Sequence, residues 1–241
     1  MSLAAIEAIL EDEKNAAQAK QLSRFFKTGP GEYAEGDQFL GIKVPVLRKI
    51  AKHYYTMPLK DVKTLLCTAV HEKRFLALAI LVLQYQRDVR AHYTIANFYL
   101  QHRKWINNWD LIDTSAPHIM GAYEYQCNYG DYDRRLRLGT YHLAHKASVW
   151  ERRIAIISSF YFIRQNEFSH TMLLANMLLH DTHDLIHKAV GWMLREVGKR
   201  DFAVADTFIA QYYRYMPRTM LRYAIERFPE DKRRYYIEVT H

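Results

Sequence analysis

The sequence predicts an all-α protein made of helical pairs stacked in series. Three observations predict it. No stretch sustains the period-two alternation of a half-buried strand. The 241 residues include only 9 Gly and 6 Pro, few for the many turns of an all-β chain. A basic residue followed by small and apolar ones also recurs at a near-constant interval. It appears in Arg153-Ile154-Ala155-Ile156, Lys188-Ala189-Val190-Gly191 and Leu221-Arg222-Tyr223-Ala224-Ile225, with steps of 35 and 34 residues between the bases. Arg74-Phe75-Leu76-Ala77 lies 79 residues earlier, about two units.

One helical pair per unit, with a small residue at the crossing, is what stacked HEAT-like or ARM-type repeats require. Such a stack curves into a superhelix whose concave face comes from the second helix of each pair. Here those helices carry Arg153, Lys188, Trp192 and Arg195. The expected architecture is therefore one domain over residues 1–241, a curved superhelix with a concave basic face. A right-angle bundle without curvature is the competing arrangement.

In order, residues 3–27 read as a helix, with Leu3, Ile6, Leu10, Leu22, Phe25 and Phe26 apolar, acids early and lysines late. Gly29–Asp37 is the one Gly-rich loop; it lacks GxxxxGK[ST] and GxGxxG and reads as a surface connection. Pro45 opens a helix to about Tyr55, with Lys43, Arg48, Lys49 and Lys52 on its flanks, and Pro58 opens another to about Val70. Residues 71–87 follow, with Phe75, Leu78, Ala79 and Val82 as the core stripe, then 89–103 and a helix begun at Asn108. Segments 132–147, 149–164, 168–180, 184–199, 201–213, 217–227 and 230–238 complete the set.

Net charge is +8, from 34 Lys and Arg against 26 Asp and Glu, which favours polyanions, nucleic acid first. Residues 134–164 hold seven bases (Arg134, Arg135, Arg137, Lys146, Arg152, Arg153, Arg164) against Glu151, nearly all of that excess. Cys67 and Cys127 fit no CxxC or metal spacing, so neither a disulfide framework nor a metal site is expected. His183 and His187 are four apart but lack an HExxH context or a third ligand. With no signal peptide and no apolar run long enough to span a bilayer, a cytoplasmic protein away from membranes is expected.

The chemistry centres on Lys104-Trp105-Ile106-Asn107-Asn108-Trp109-Asp110-Leu111-Ile112-Asp113. Asn107 and Asn108 are good N-cap residues, and Asp110 suits the first turn. Trp109 and Asp113 then share one helical face, a poor choice for a core stripe. Lys188, Trp192 and Arg195, at i, i+4 and i+7, form a second stripe fit to hold phosphates and set an indole against a base or sugar. Alone, Asp113 would read as a helix cap or an arginine partner. Trp109 one turn away and the basic stripes favour a chemical role.

A purine alkylated at N3 or N7 is already cationic, and breaking its glycosidic bond builds positive charge on the sugar. A fixed carboxylate steadies that charge and orients water. Indoles add cation–π attraction of about 0.5–2 kcal/mol each.

These residues resemble those of the AlkD-like DNA alkylation repair glycosylases. The resemblance rests on Trp109-Asp110-x-x-Asp113, Arg153-Ile154-Ala155-Ile156, Lys188 to Glu196 (KAVGWMLRE), Phe39-Leu40-Gly41-Ile42-Lys43-Val44-Pro45 and Pro217 to Glu226, in order along the chain. It implies a HEAT-like superhelix that binds duplex DNA and releases 3- and 7-alkylated purines in base excision repair, with no cofactor. It implies that Trp109 and Trp192 lie against the lesion nucleotide's backbone and that Asp113 is the acid at the scissile sugar. Arg153 and Arg195 would contact the DNA, with Lys188 and Arg152 as further basic points. Phe25 stands where some relatives carry Tyr, so that hydroxyl's hydrogen bond is absent. A monomer acting on double-stranded DNA is expected. A catalytically silent binder of damaged or branched DNA is the alternative, and a HEAT scaffold for another protein a third reading.

Overall fold

The structure, a computed structural model, describes residues 2–130 and 139–238. Among them regular structure is helical, apart from one isolated parallel bridge between Gln38 and Val70. The chain divides into two compact units, Met1–Ser115 and Ala116–His241. No described helix is long and apolar enough to cross a membrane.

The first unit holds α1 (Leu3–Asp12), α2 (Ala16–Phe25), α3 (Val44–His53), α4 (Leu59–Leu66), α5 (His71–Arg87), α6 (His92–Gln101) and α7 (Trp109–Ala116). The expected single helix over 3–27 is two. Asn15 caps α2 by accepting from the Gln18 amide at 2.9 Å, and its own N–H donates to the Leu40 carbonyl. A short polar side chain offers the backbone a local alternative to continuing the helix. Pro45 lies in the first turn of α3 and Pro58 precedes α4, where a missing N–H costs nothing.

Helix α5 packs against α3, α4 and α6. Its core is therefore wider than a stripe: Leu76, Ala77, Ile80 and Leu81 are buried with Phe75 and Leu78, while the expected Ala79 and Val82 are only half-buried. The N-terminal end of α5 also anchors the extended segment before α3. The buried Glu72 carboxylate accepts from the amides of Leu40, Gly41 and Ile42 at 2.8–3.3 Å, satisfying three donors that no strand partner meets. Gly41 is required there. Its φ is +82°, and a Cβ would stand 2.1 Å from the Asn15 carbonyl oxygen.

The second unit begins with a π-helical turn (Pro117–Gly121), followed by α8 (Ala122–Tyr129), α9 (Thr140–Ala144), α10 (Val149–Arg164), α11 (Ser169–Met177), α12 (Asp184–Gly198), α13 (Phe202–Tyr212), α14 (Arg218–Ala224) and α15 (Glu230–Glu238). The part of the expected 132–147 helix up to 138, with Arg134, Arg135 and Arg137, lies outside the described residues. Helix α10 packs on α12 and α12 on α14, with α11 and α13 packed beside them. The bases at the repeat interval, Arg153, Lys188 and Arg222, thus fall on α10, α12 and α14. This is the helical-repeat arrangement that the 34–35-residue spacing predicts.

Small residues sit where these helices touch. A Cβ on Gly191 would lie 2.5 Å from both the Met220 carbonyl oxygen and the Tyr223 Cβ; one on Gly121 would lie 2.1 Å from the Ser158 carbonyl oxygen. Close backbone approach buries the apolar faces of α12 and α14 without a void. Gly191→Ala should therefore force α14 outward and cost about 1–3 kcal/mol, read as a lower chemical-denaturation midpoint with an unchanged slope.

Candidate functional site

Helix α7 starts where the sequence places it. Asn108 is fully buried, its carbonyl accepts from Ile112 and its side-chain oxygen from the Trp109 amide at 2.8 Å. Asp110 occupies the first turn and accepts from the Leu111 amide at 2.8 Å, a favourable charge for the positive helix end. Trp109 and Asp113, one turn apart, are both half-buried. Asp113 is neither sealed in the core nor fully solvated. Burial pushes the Tyr99 hydroxyl above its ordinary value, outweighing the Ser115 bond that lowers it, and the Asp113 charge adds to the rise.

The Trp109 indole is held by rings the sequence did not place beside it. It stacks on Phe26 with centroids 5.4 Å apart and planes at 28°, and meets Phe25 edge-on at 5.9 Å. Its N–H points at the Tyr33 hydroxyl, 3.4 Å away. Tyr33 belongs to the Gly29–Asp37 loop, so that loop does more than connect helices. Within it the Gly29 and Gly31 amides donate to Glu32 and Glu35. Phe25 is 63% exposed, an apolar ring facing outward beside the indole.

Beneath the stack lies a buried polar network. The His71 ring, at the start of α5, is within 4.8 Å of Phe26 and 4.7 Å of Phe39 by centroid. Its Nε2 is 2.8 Å from Asp110 Oδ2 and its Nδ1 3.5 Å from Asp37. Arg74, 1% exposed, pairs with Asp37 at 2.6 Å and donates to the Asn107 side chain. Loop, α5 and α7 are thus tied by two acids, one arginine and one histidine.

Burial alone would push the His71 imidazole down. The hydrogen bonds to Asp110 and Asp37, with the Asp110 charge, outweigh it and leave the group above its ordinary value. Burial alone would raise Asp37, but its bonds to His71 and Arg74 hold it below the usual carboxylate range. Sequence reasoning missed Asp37, His71 and Arg74 because they are 34 and 37 residues apart from the first to the last two. The one available signal was Arg74, a base inside the repeat motif that immediately precedes the apolar run Phe75–Leu83.

The remaining expected residues lie in the second unit. Trp192 is half-buried on α12; its indole N–H donates to Glu196 at 3.1 Å, and its ring is 5.8 Å from Phe160. Lys188 and Arg195 share its face, but each has a carboxylate beside it. Lys188 pairs with Asp184 at 2.7 Å, and Arg195 pairs with Glu226 and stands 3.8 Å from Glu196. The stripe is therefore not bare cation. Its partly exposed pairs are worth about 0–1 kcal/mol, so an incoming anion exchanges for them at little cost.

The other two bases are built into the fold. Arg153 is 5% exposed and donates to the Leu185 carbonyl at 2.6 Å, joining α10 to the first turn of α12. Arg152 pairs with Asp181 at 2.6 Å and donates to the Lys146 and Ala147 carbonyls. His183 and His187, the expected non-ligands, serve the same turn: His183 accepts from the Leu185 amide, and His187 bonds to the Asp181 carbonyl.

A family model described as DNA alkylation repair enzyme matches residues 6–228. A solved structure of a predicted DNA alkylation repair enzyme from Enterococcus faecalis superposes with a TM-score of 0.68 at 15% identity, covering 90% of this chain and 98% of that one. No curated protein matches the chain in sequence.

The network carries a sign for pH. Because the folded pKa of His71 is raised, its stabilisation is complete below about 6.5 and is lost as pH rises through the folded value. Asp37 works oppositely; its contribution is present above about 3.8 and is lost on acidification. Replacing His71 by Gln should therefore lower Tm most near about pH 5.5, and the gap to wild type should narrow by about pH 8.5. Thermal melts of both proteins across that range check this.

Proposed function

The chain belongs to the family of DNA alkylation repair enzymes, and on that premise we propose that it is a monofunctional DNA glycosylase. It hydrolyses the N-glycosidic bond of positively charged N3- or N7-alkylated purines in duplex DNA, the first step of base excision repair. Its two units serve as one DNA-binding domain, and it acts as a monomer in the cytoplasm, associated with the nucleoid when bound to DNA.

The observation that carries this reading is the pairing on α7: an indole clamped by Phe25 and Phe26, with a half-buried carboxylate one turn on. As the bond from C1′ to the base nitrogen breaks, the base takes the bonding pair and loses its positive charge, and the sugar acquires it. Asp113 faces that developing cation in a site of reduced dielectric, where a fixed charge acts more strongly than in water. Water then adds to C1′, and its proton passes to Asp113 and on to solvent. Trp109 presents an electron-rich face to that cation, and the part taken by Trp192 is to lie against the lesion nucleotide's backbone.

Lys188 and Arg195 hold phosphates by exchanging their present carboxylates for DNA. Arg152 and Arg153, anchored on Asp181 and on the Leu185 carbonyl, support the DNA face by fixing the turn before α12. Phe25, exposed beside Trp109, meets the duplex as an apolar ring. This reading gives no lysine the part of a Schiff-base nucleophile, so the expected product is an intact abasic strand.

Asp113→Asn should slow release of 7-methylguanine from methylated duplex DNA by about 10²–10³-fold, as loss of one charge-stabilising group does elsewhere, while leaving DNA affinity nearly unchanged. Equal rates in the two proteins would remove Asp113 from the reaction. Arg195→Ala should weaken duplex binding on every sequence and reduce the slope of log K against log salt by about one. Filter binding over a salt series measures it; an unchanged slope would take Arg195 off the DNA.

A further inference from the structure

Arg164 is one of the seven bases that give residues 134–164 their charge, and nothing described above uses it. It closes the last turn of α10 and is exposed. Its guanidinium carbon lies over the Phe160 ring, 4.6 Å from the centroid, and that ring is 5.8 Å from the Trp192 indole. Indole, phenyl ring and guanidinium are therefore contiguous from α12 to the end of α10.

The neighbouring bases differ from Arg164 in one respect. Helices α10 and α12 carry five: Arg152, Arg153, Arg164, Lys188 and Arg195. Arg152 and Arg153 spend N–H groups on backbone carbonyls, and Arg152, Lys188 and Arg195 stand against carboxylates. Among the described residues Arg164 alone of the five has neither kind of partner. A ring beneath the cation is no substitute for a hydrogen-bond acceptor, so its N–H donors remain available to an oxyanion.

An arginine on a surface is ordinarily spread over several rotamers, and fixing it on binding costs entropy. Resting on Phe160 removes part of that cost beforehand. Burial first, and the Arg164 charge second, hold the His118 imidazole on the π-helical turn below its ordinary value. That imidazole is neutral at neutral pH and adds no second cation beside Arg164.

We propose that Arg164 grips a backbone phosphate of the DNA strand that Trp192 lies against. The proposal rests on the DNA-binding part of the reading above and deepens it, without depending on the excision chemistry. A guanidinium presents a fork of N–H donors that matches two phosphate oxygens. Among the described residues no carboxylate has to be displaced first, unlike at Lys188 and Arg195. The contact carries no base information, so it serves damaged and undamaged DNA alike. A cation in the last turn of a helix also complements the helix dipole, but that role alone would appear in stability and not in DNA affinity.

The test compares wild type, Arg164→Ala and Arg164→Lys, each shown by thermal melts to be folded. Each is titrated with a short undamaged duplex over a salt series, and wild type is also assayed for release of 7-methylguanine from methylated duplex. Arg164→Ala should bind about tenfold more weakly at physiological salt, a loss of about 1.4 kcal/mol. Its slope of log K against log salt should be shallower by about one. Arg164→Lys keeps the charge without the fork and should keep the wild-type slope.

If wild type excises 7-methylguanine and Arg164→Ala binds with wild-type affinity and slope, the assignment is overturned and the glycosylase reading stands. An Arg164→Lys slope as shallow as that of Arg164→Ala overturns it as well, because the loss is then not one of a neutralised phosphate. A wild type whose duplex binding depends on Arg164 but which releases no base would uphold the phosphate contact and overturn the glycosylase reading instead.

Discussion

The candidate site depends on one buried arrangement of charge: the Asp37 carboxylate between Arg74 and His71, with Asp110 on the far nitrogen of the same imidazole. Removing Asp37 would leave the buried Arg74 charge without its carboxylate, and breaking a buried pair in this way costs more than the pair itself contributes. The loop before α3, the first turn of α5 and the first turn of α7 are therefore fixed together or not at all. The position of Trp109 follows from this. Its ring rests on Phe26, Phe26 rests on the His71 ring, and His71 is oriented by the two acids. A half-buried indole at a helix start could take more than one rotamer; here its plane is set by charges two layers below it.

The two units reach stability by different means. In the first, backbone donors and ionised groups are satisfied one by one at the end of α5, as Glu72 does for residues 40–42. In the second, glycines let helices approach closely, and side chains from one helix cap or brace the next, as Arg153 does for α12. The repeat pattern in the sequence describes the second unit well for this reason. Close helix packing leaves a periodic trace of small residues, whereas a charge network assembled from distant positions leaves none.

What could be read from the sequence follows the same division. The helical character, the start of α7 at Asn108, the proline-led α3 and α4, and the placement of Arg153, Lys188 and Arg222 on successive packed helices were all legible, because caps, prolines and spacing act locally. The break at Asn15 was not, since its cause includes the Leu40 carbonyl 25 residues away. Nor was the extent of burial on α5, which reflects neighbours on several sides rather than its own pattern. At the site, Trp109 and Asp113 on one face were legible from spacing four. Tyr33, Asp37 and His71 were not, because only folding brings that loop and α5 to the indole. The bases showed the opposite limit. Sequence gave their positive charge but not the carboxylates set against Lys188 and Arg195, nor the structural duties of Arg152 and Arg153.

Those matched acids have a consequence at distance. A lysine alone projects a monopole that a polyanion senses out to about a Debye length, about 8 Å at physiological ionic strength. A lysine with an aspartate 2.7 Å away projects a dipole, which fades much faster. The α12 face accordingly projects a weaker field at a distance than its bases alone would. Lys43, Arg48, Lys49 and Lys52 around α3 are exposed to solvent and project their charge farther. A polyanion at a distance would therefore sense the bases of α3 before those of α12.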